Sequence, residues 1–447
     1  MSITSDYPGV NRLLPIFAGA VLISAAFLVD AGTEGEGMPQ LGQIGFVTFG
    51  CAFAVLGIAS NRHRFGGSLA KASLVILSTT LLITICEVTF RVVGFDFERL
   101  NQPGDDIPIY YRTATVHAGE GVFRRPGPAS WRGQVRRAYM RMQGTNDGPY
   151  AEEEPIVARY DALGFRNPED LRDWDVVVTG DSFVELGFLP YEDLFTSIAA
   201  RKLGLRVKNL GVSGTGPISQ TFYVKNYGKA ASTKDAVLCF FEGNDLEDLS
   251  RELRNTESFR TTGQPWEHRK QMSFLKTLFE KCHQLRQRGG TEVRGMGIKP
   301  NAALTTTHPE RPMTVYGMAP AWERLGQRRE ETVVRALASW ASMVRSNSMR
   351  PWVAYLPDSH RVFHGLIHFT DTNSAVANWK PGDFGAHLGA ACTNLDIGFI
   401  DTFPALRREA EAGRVPYNLI GDTHFSLDGS RIVADVLADH LKSGHIH

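Results

Sequence analysis

The chain has 447 residues, 43% of them hydrophobic: ample material for a large core, and too much for one ordinary domain. Its 48 basic and 48 acidic residues give a formal net charge of zero, so nothing points to nucleic acid or to a broadly anionic partner. Five cysteines and 13 scattered histidines show no Cys-x-x-Cys or His-Glu-x-x-His spacing, and neither a metal nor a cofactor is expected.

In chain order, three apolar stretches come first, Leu13 to Val29, Leu41 to Ala59 and Leu69 to Val93. Each is near the about 20 residues a helix needs to cross a bilayer, so residues 1–95 are expected to form three transmembrane helices rather than a cleaved signal peptide. In the third stretch Lys71, Glu87 and Arg91 confine the uncharged run to Ala72 through Cys86. Glu87 and Arg91 share a helical face and can pair at one membrane interface while Lys71 snorkels to the other. The loop Asn61 to Ser68 carries Arg62 and Arg64, whereas Asp30 to Gln40 carries only acids, which puts the basic loop and Arg12 on the cytoplasmic side. Three spans then deliver everything after Gly94 to the other side: a bacterial inner-membrane, multi-pass protein with an extracytoplasmic main domain. Cys51 and Cys86 fall in the spans and Cys239 in an apolar strand, leaving Cys282 and Cys392 as the pair that could join in an oxidising compartment.

Residues 96–159, rich in Gly, Pro and charge, read as a juxtamembrane segment of irregular or short-strand structure packed on the main domain. From 160 to 447, strands alternate with amphipathic helices. The strands are expected at Asp175 to Thr179, Arg206 to Leu210, Ala236 to Phe241, Trp352 to Leu356 and Gly398 to Asp401. Helices are expected near Tyr191 to Leu203, Ile218 to Ala230, Trp322 to Ser346, Pro381 to Asn394 and Leu427 to Lys442. That rhythm implies an α/β domain with a parallel sheet covered on both faces. An insertion at about 246–321 breaks it, with no clear strand signal, a basic helical segment from Lys270 to Arg288 and a Pro-rich run through Pro320. Its position beside a strand's carboxyl end makes it a candidate part of a site or its cover.

The chemistry-bearing segments sit at the ends of consecutive strands. Gly180-Asp181-Ser182 follows the first, Gly211 to Gly214 the second and Gly243-Asn244-Asp245 the third, while Asp422-Thr423-His424 precedes the last helix. Open α/β sheets bind ligands at that edge, so these segments should converge. A serine on the turn leaving a strand presents a reachable hydroxyl; a distant histidine can deprotonate it, and a glycine N–H and an asparagine amide can receive an oxyanion. Blander roles stay open: Ser182 as a helix cap, Asn244 and Asp245 as turn formers, His424 as a surface or capping residue. Asp181 is expected to bond the local turn; Gly211 and Gly216 to permit backbone bends. His360 and His364 lie at the same edge without a motif.

The four blocks, in this order, resemble the SGNH/GDSL-type hydrolases, and the resemblance spans roughly Asp161 to Leu441 apart from the insertion. It implies a three-layer, flavodoxin-like α/β/α domain. It also implies Ser182 as nucleophile, His424 as base, Asp422 as its orienting acid, and the Ser182 N–H, the Gly214 N–H and the Asn244 amide as the oxyanion hole. One departure is that many members place the aspartate three residues before the histidine, whereas here position 421 is glycine and Asp422 stands two before. The segment Asp422 to Gly429 is closer to the Asp-x-His pattern of alginate-acetylation proteins, which turns the expectation toward acetyl groups on polysaccharide and a polysaccharide export or acetylation assembly as partner. The expected function is therefore a membrane-anchored serine esterase or O-acyltransferase acting on an ester of a cell-envelope carbohydrate. The alternatives are a lipolytic carboxylesterase or lysophospholipase, whose apolar lid the insertion scarcely supplies beyond Phe274 to Phe279, and a non-catalytic scaffold subunit.

Overall fold

A computed structural model describes residues 108–111, 116–142, 152–263, 300–315 and 326–444, with scattered helical positions between 15 and 89. One compact unit comprises Pro103–Pro265 with Val293–His447; the positions before residue 90 belong to another, and each is treated by itself.

The larger unit opens with small antiparallel pairs. Strands β1 (Val116–Gly119) and β2 (Val122–Arg124) form a hairpin, and β3 (Ala129–Gly133) pairs with β4 (Ile156–Tyr160). The five expected strands follow as β5 (Val176–Gly180), β6 (Val207–Gly211), β7 (Asp235–Phe241), β10 (Arg350–Leu356) and β12 (Gly398–Asp401). Between them lie β8 (Ala302–Leu304), β9 (Arg311–Met313) and β11 (Ile367–Phe369). The five long strands make one parallel sheet in the order β12-β10-β7-β5-β6. Within this sheet β6 lies on one side of β5 and β7, β10 and β12 on the other, so the chain reverses its direction of winding at β5, and the crevice outside the carboxyl ends of β5 and β7 is the topological switch point.

The sheet is apolar on both faces because each strand alternates its side chains between two cores. On β7, Val237, Cys239 and Phe241 enter one core while Ala236, Leu238 and Phe240 enter the other. Helices Phe195–Leu203 and Leu427–Gly444 cover the first face through Ile198, Val433 and Leu437. Helices Pro217–Tyr227, Gly326–Ser346 and Phe384–Asn394 cover the second through Tyr223, Trp340 and Leu388. The layering is α/β/α, and every side chain just named is buried.

The insertion departs from expectation. It begins as the helix Asp245–Thr262 and contains β8 and β9, which join β11 in a three-stranded antiparallel sheet ordered β11-β8-β9. Strands of three residues with Pro312 inside one of them are too short for periodicity to register. The basic segment Lys270 to Arg288 lies outside the described residues, as does Cys282. Cys392 is a buried free thiol that burial pushes up to about 12. The three expected membrane spans fall mostly outside the described residues, as do Lys71, Glu87 and Arg91, and among the described residues no helix is long and apolar enough to cross a membrane.

Candidate active site

Ser182 owes its position to the sharp exit from β5. A β-carbon on Gly180 would strike Val184 and lie 3.1 Å from the Cys239 β-carbon, so glycine permits the turn. Asp181 is the N-cap of the single-turn helix Ser182–Glu185, its Oδ1 accepting the Phe183 N–H at 2.9 Å. Capping thus belongs to Asp181, which leaves the Ser182 hydroxyl for other partners. That hydroxyl lies 2.7 Å from His424 Nε2 and 3.2 Å from Asp181 Oδ2.

His424 is delivered by the segment ahead of the last helix. Its carbonyl accepts the Asn418 N–H at 2.9 Å, and its neighbour Phe425 bridges to Tyr417. The ring is tilted against Phe183 at a centroid distance of 4.7 Å and makes an edge contact with Tyr110. Asp422 Oδ1 is 2.5 Å from His424 Nδ1 and accepts the His424 backbone N–H at 3.0 Å, while Oδ2 accepts from Asn418 Nδ2 at 3.2 Å. The two-residue spacing therefore does bring a carboxylate to the imidazole: the loop turns so that one oxygen meets both the backbone N and Nδ1 of His424. Burial depresses the His424 pKa, but the charge and hydrogen bond of Asp422, with Asp181 and Glu185 behind them, more than offset it and leave it raised. Burial raises Asp422 in turn, and the attraction of His424 and Arg136 outweighs that, leaving it lowered. An aspartate held ionised with Nδ1–H pointing at it leaves Nε2 as the acceptor facing Ser182.

Ser182, His424 and Asn244 line one cleft of about 300 Å³, together with Phe183, Phe241 and Asp358. Asn244 occupies the N-cap position of the helix Asp245–Thr262 without a side-chain cap bond and spends one amide N–H on Asp248 Oδ2 at 2.8 Å, leaving the second N–H and a buried Oδ1 that has no partner among the described residues. Burial, opposed by Arg251, pushes Asp248 up to about 7. Gly214 sits in a left-handed turn (φ +74°) after β6, where a β-carbon would meet nothing within 4 Å. It does not line the cleft, and its N–H has no partner among the described residues. His360 is buried beside Trp379, centroids 4.5 Å apart; neither it nor His364 lines the cleft. Among the described residues no group of His, Cys, Asp and Glu is placed to hold a metal ion.

Two features escaped the sequence. The Tyr110 hydroxyl lies 3.0 Å from His424 Nε2, the same nitrogen that meets Ser182. Buried Glu185, three residues past the serine, is gripped by Arg125 through Nε and Nη2 at 3.1 Å each and accepts from Tyr160 Oη at 2.6 Å and the Ser213 N–H at 2.5 Å. Arg125 also donates to the Tyr110 carbonyl at 2.8 Å. One buried ion pair thereby fixes both the tyrosine against the imidazole and the loop that carries Gly214. Tyr110 and Arg125 come from the segment 96–159, where no periodicity or motif marked them.

No family model and no curated protein matches the chain. Solved structures that match include a member of the lipolytic G-D-S-L family from Veillonella parvula, 12% identical over 59% of this chain and 96% of that one, with a TM-score of 0.31. Another is a putative lipolytic protein of the G-D-S-L family from Desulfitobacterium hafniense, 11% identical over 60% and 98%, with a TM-score of 0.30. A third is a catalytic mutant of an acetylxylan esterase from Geobacillus stearothermophilus, 12% identical over 60% and 94%, with a TM-score of 0.32. Likeness at that level adds nothing to the geometry, which stands by itself.

Proposed function

We propose that the chain is a serine esterase or O-acyltransferase working through an acyl-serine intermediate on an acyl, chiefly acetyl, ester of a cell-envelope carbohydrate. The observation that carries the reading is the line Ser182 Oγ to His424 Nε2 at 2.7 Å and His424 Nδ1 to Asp422 Oδ1 at 2.5 Å, inside a cleft.

In the first half-reaction Ser182 Oγ attacks the ester carbonyl while its proton passes to His424 Nε2, and Asp422 stabilises the imidazolium. The tetrahedral oxyanion takes hydrogen bonds from the free Asn244 N–H and the Ser182 N–H, while Gly214, the third donor that the motif implies, stands outside the cleft. Collapse breaks the bond to the alcohol oxygen, which leaves with the proton from Nε2. In the second half-reaction water or a sugar hydroxyl gives its proton to Nε2 and attacks the acyl-serine carbonyl; collapse then breaks the bond to Ser182 Oγ, which takes the proton back from Nε2, and the acid or a new ester is released. Small volume and a wall that includes the polar Asn244, Ser359 and Thr423 favour a short acyl group over a long lipid chain.

The membrane anchor is part of the same proposal, with the catalytic unit outside the cytoplasm beside a polysaccharide export or acetylation assembly. Tethering there raises the effective concentration of a surface polymer. The exposed Phe17, Val55, Val75, Leu82 and Ile85 of the amino-terminal region support an apolar environment for it. Turnover of 4-nitrophenyl esters of increasing acyl length tests the activity: acetate is to exceed octanoate in kcat/KM, with Ser182→Ala inactive. Preference for octanoate would give the lipolytic reading instead, and an undiminished Ser182→Ala the non-catalytic one.

A further inference from the structure

One carboxylate in the cleft has no part in the chemistry above. Strand β10 runs beside β7 in parallel register, Leu356 opposite Phe241, and the Glu242 N–H bonds the Leu356 carbonyl at 3.0 Å. The residues following the two strands therefore emerge side by side, which sets Asp358 next to Gly243 and Asn244 on the wall of the cleft. Asp358 is held from two directions. Its backbone N–H donates to Glu242 Oε2 at 3.2 Å, and its Oδ1 accepts the His360 N–H at 2.7 Å as the cap of the short helix Ser359–Phe363. With Oδ1 committed, Oδ2 is the oxygen left over. It faces Gly243, where even a β-carbon would come within 3.4 Å of it while striking the Phe241 ring, so glycine keeps this side of the cleft open. No donor among the described residues reaches Oδ2, because the nearby Arg361 guanidinium is committed to Glu242.

A carboxyl oxygen fixed at the wall of a substrate cleft without a donor favours a ligand that brings one, and penalises a ligand that covers it with hydrocarbon. Burial, assisted by Glu242 and opposed by the His360 N–H, raises Asp358 to about 7, so near neutrality the group can accept a hydroxyl proton or donate its own. An ester of a fatty acid with a simple alcohol offers no hydroxyl there; a partly acylated sugar offers one on the carbon beside the ester.

We infer that Asp358 is a specificity-determining residue that hydrogen-bonds, through Oδ2, a free hydroxyl on the alcohol portion of the ester, and so restricts the site to hydroxylated, saccharide-like substrates. The inference rests on the esterase reading above and adds the residue that selects the alcohol.

The test compares two esters of similar ring size, methyl 3-O-acetylglucopyranoside and cyclohexyl acetate, with 4-nitrophenyl acetate as the reactive control. Asp358→Ser is the informative variant: its one hydroxyl can still cap Ser359–Phe363 by accepting the His360 N–H, and nothing then remains for the cleft. Assayed above pH 7, where Asp358 is mostly ionised, the loss of a hydrogen bond to the charged group leads us to expect kcat/KM on the glycoside to fall about 10- to 100-fold. Turnover of cyclohexyl acetate and of 4-nitrophenyl acetate is to stay near the wild-type value, with an unchanged thermal midpoint. A wild-type enzyme that does not prefer the glycoside to cyclohexyl acetate, or a variant that keeps the wild-type preference, overturns the inference. A parallel fall on all three esters overturns it as well, since that assigns Asp358 to the architecture rather than to selection. A wild-type protein unable to turn over 4-nitrophenyl acetate is a different failure, because it removes the esterase reading itself.

Discussion

Replacing Asp422 by asparagine probes the site where the sequence pattern was least secure. The carboxylate serves three donors: the His424 backbone N–H and Nδ1 at Oδ1, and Asn418 Nδ2 at Oδ2. A carboxamide has one accepting oxygen. Placing its NH2 at the Oδ1 position would oppose two donors at 3.0 and 2.5 Å; placing it at Oδ2 opposes only Asn418, 3.2 Å away, whose amide also reaches the His424 carbonyl. The second orientation costs less, so the imidazole keeps its Nδ1–H and Nε2 remains able to take the serine proton. What is lost is the charge that steadies the imidazolium in the transition state. An adjacent opposite charge is worth roughly 1.4–4 kcal/mol to an ionised group, so kcat/KM on 4-nitrophenyl acetate should fall about 10- to 1000-fold, each factor of ten being about 1.4 kcal/mol. The pH profile carries the sign. The base must be neutral, so activity rises with pH through the His424 pKa, which Asp422 holds above the ordinary imidazole value. Removing that charge moves the acid limb to lower pH even as the plateau drops. A variant within threefold of wild type with an unmoved limb would refute the assignment of Asp422.

Further consequences follow from neighbouring contacts. Asn244→Ala removes an oxyanion donor from the cleft and is expected to lower kcat about 100- to 1000-fold with an unchanged denaturation midpoint, since Asp248 keeps its 2.8 Å pairing with Arg251; retention of full kcat would remove Asn244 from the hole. Arg125→Met leaves the fully buried Glu185 carboxylate without its counter-charge, and urea unfolding should register a loss of about 3–5 kcal/mol, partly restored in Arg125→Met/Glu185→Gln. No loss in the single variant would mean that the pair does not organise this region. Gly214→Ala places a β-carbon in open space but in a left-handed backbone, so the unfolding free energy read in urea should fall by only the backbone cost of about 1 kcal/mol; a collapse of the fold would point to an unseen steric neighbour.

The sheet was legible because its strands are continuous apolar runs. Val176, Val177 and Val178 must serve two cores at once, which no amphipathic helix asks of three successive residues. The convergence of Ser182 and Asn244 was legible from strand order alone, since both follow strands that flank the switch point. His424 required a motif, because nothing in its local pattern says that the loop before the last helix folds back onto β5. Tyr110, Arg125 and Asp358 were not legible. Their positions depend on tertiary contacts built on Glu185 and Glu242, ordinary-looking acids that lie 60 positions from Arg125 and 116 from Asp358 in the chain. The short strands β8, β9 and β11 were hidden for the same reason: they are held by each other rather than by propensity.

The central claim, that Ser182 is a nucleophile activated by His424, is tested most directly by treating the intact protein with a fluorophosphonate and locating the adduct by mass spectrometry. The account predicts stoichiometric modification of Ser182, with a rate that rises with pH along the His424 titration and labelling abolished in His424→Ala. Failure of Ser182 to react, or equal labelling with and without the histidine, would contradict it.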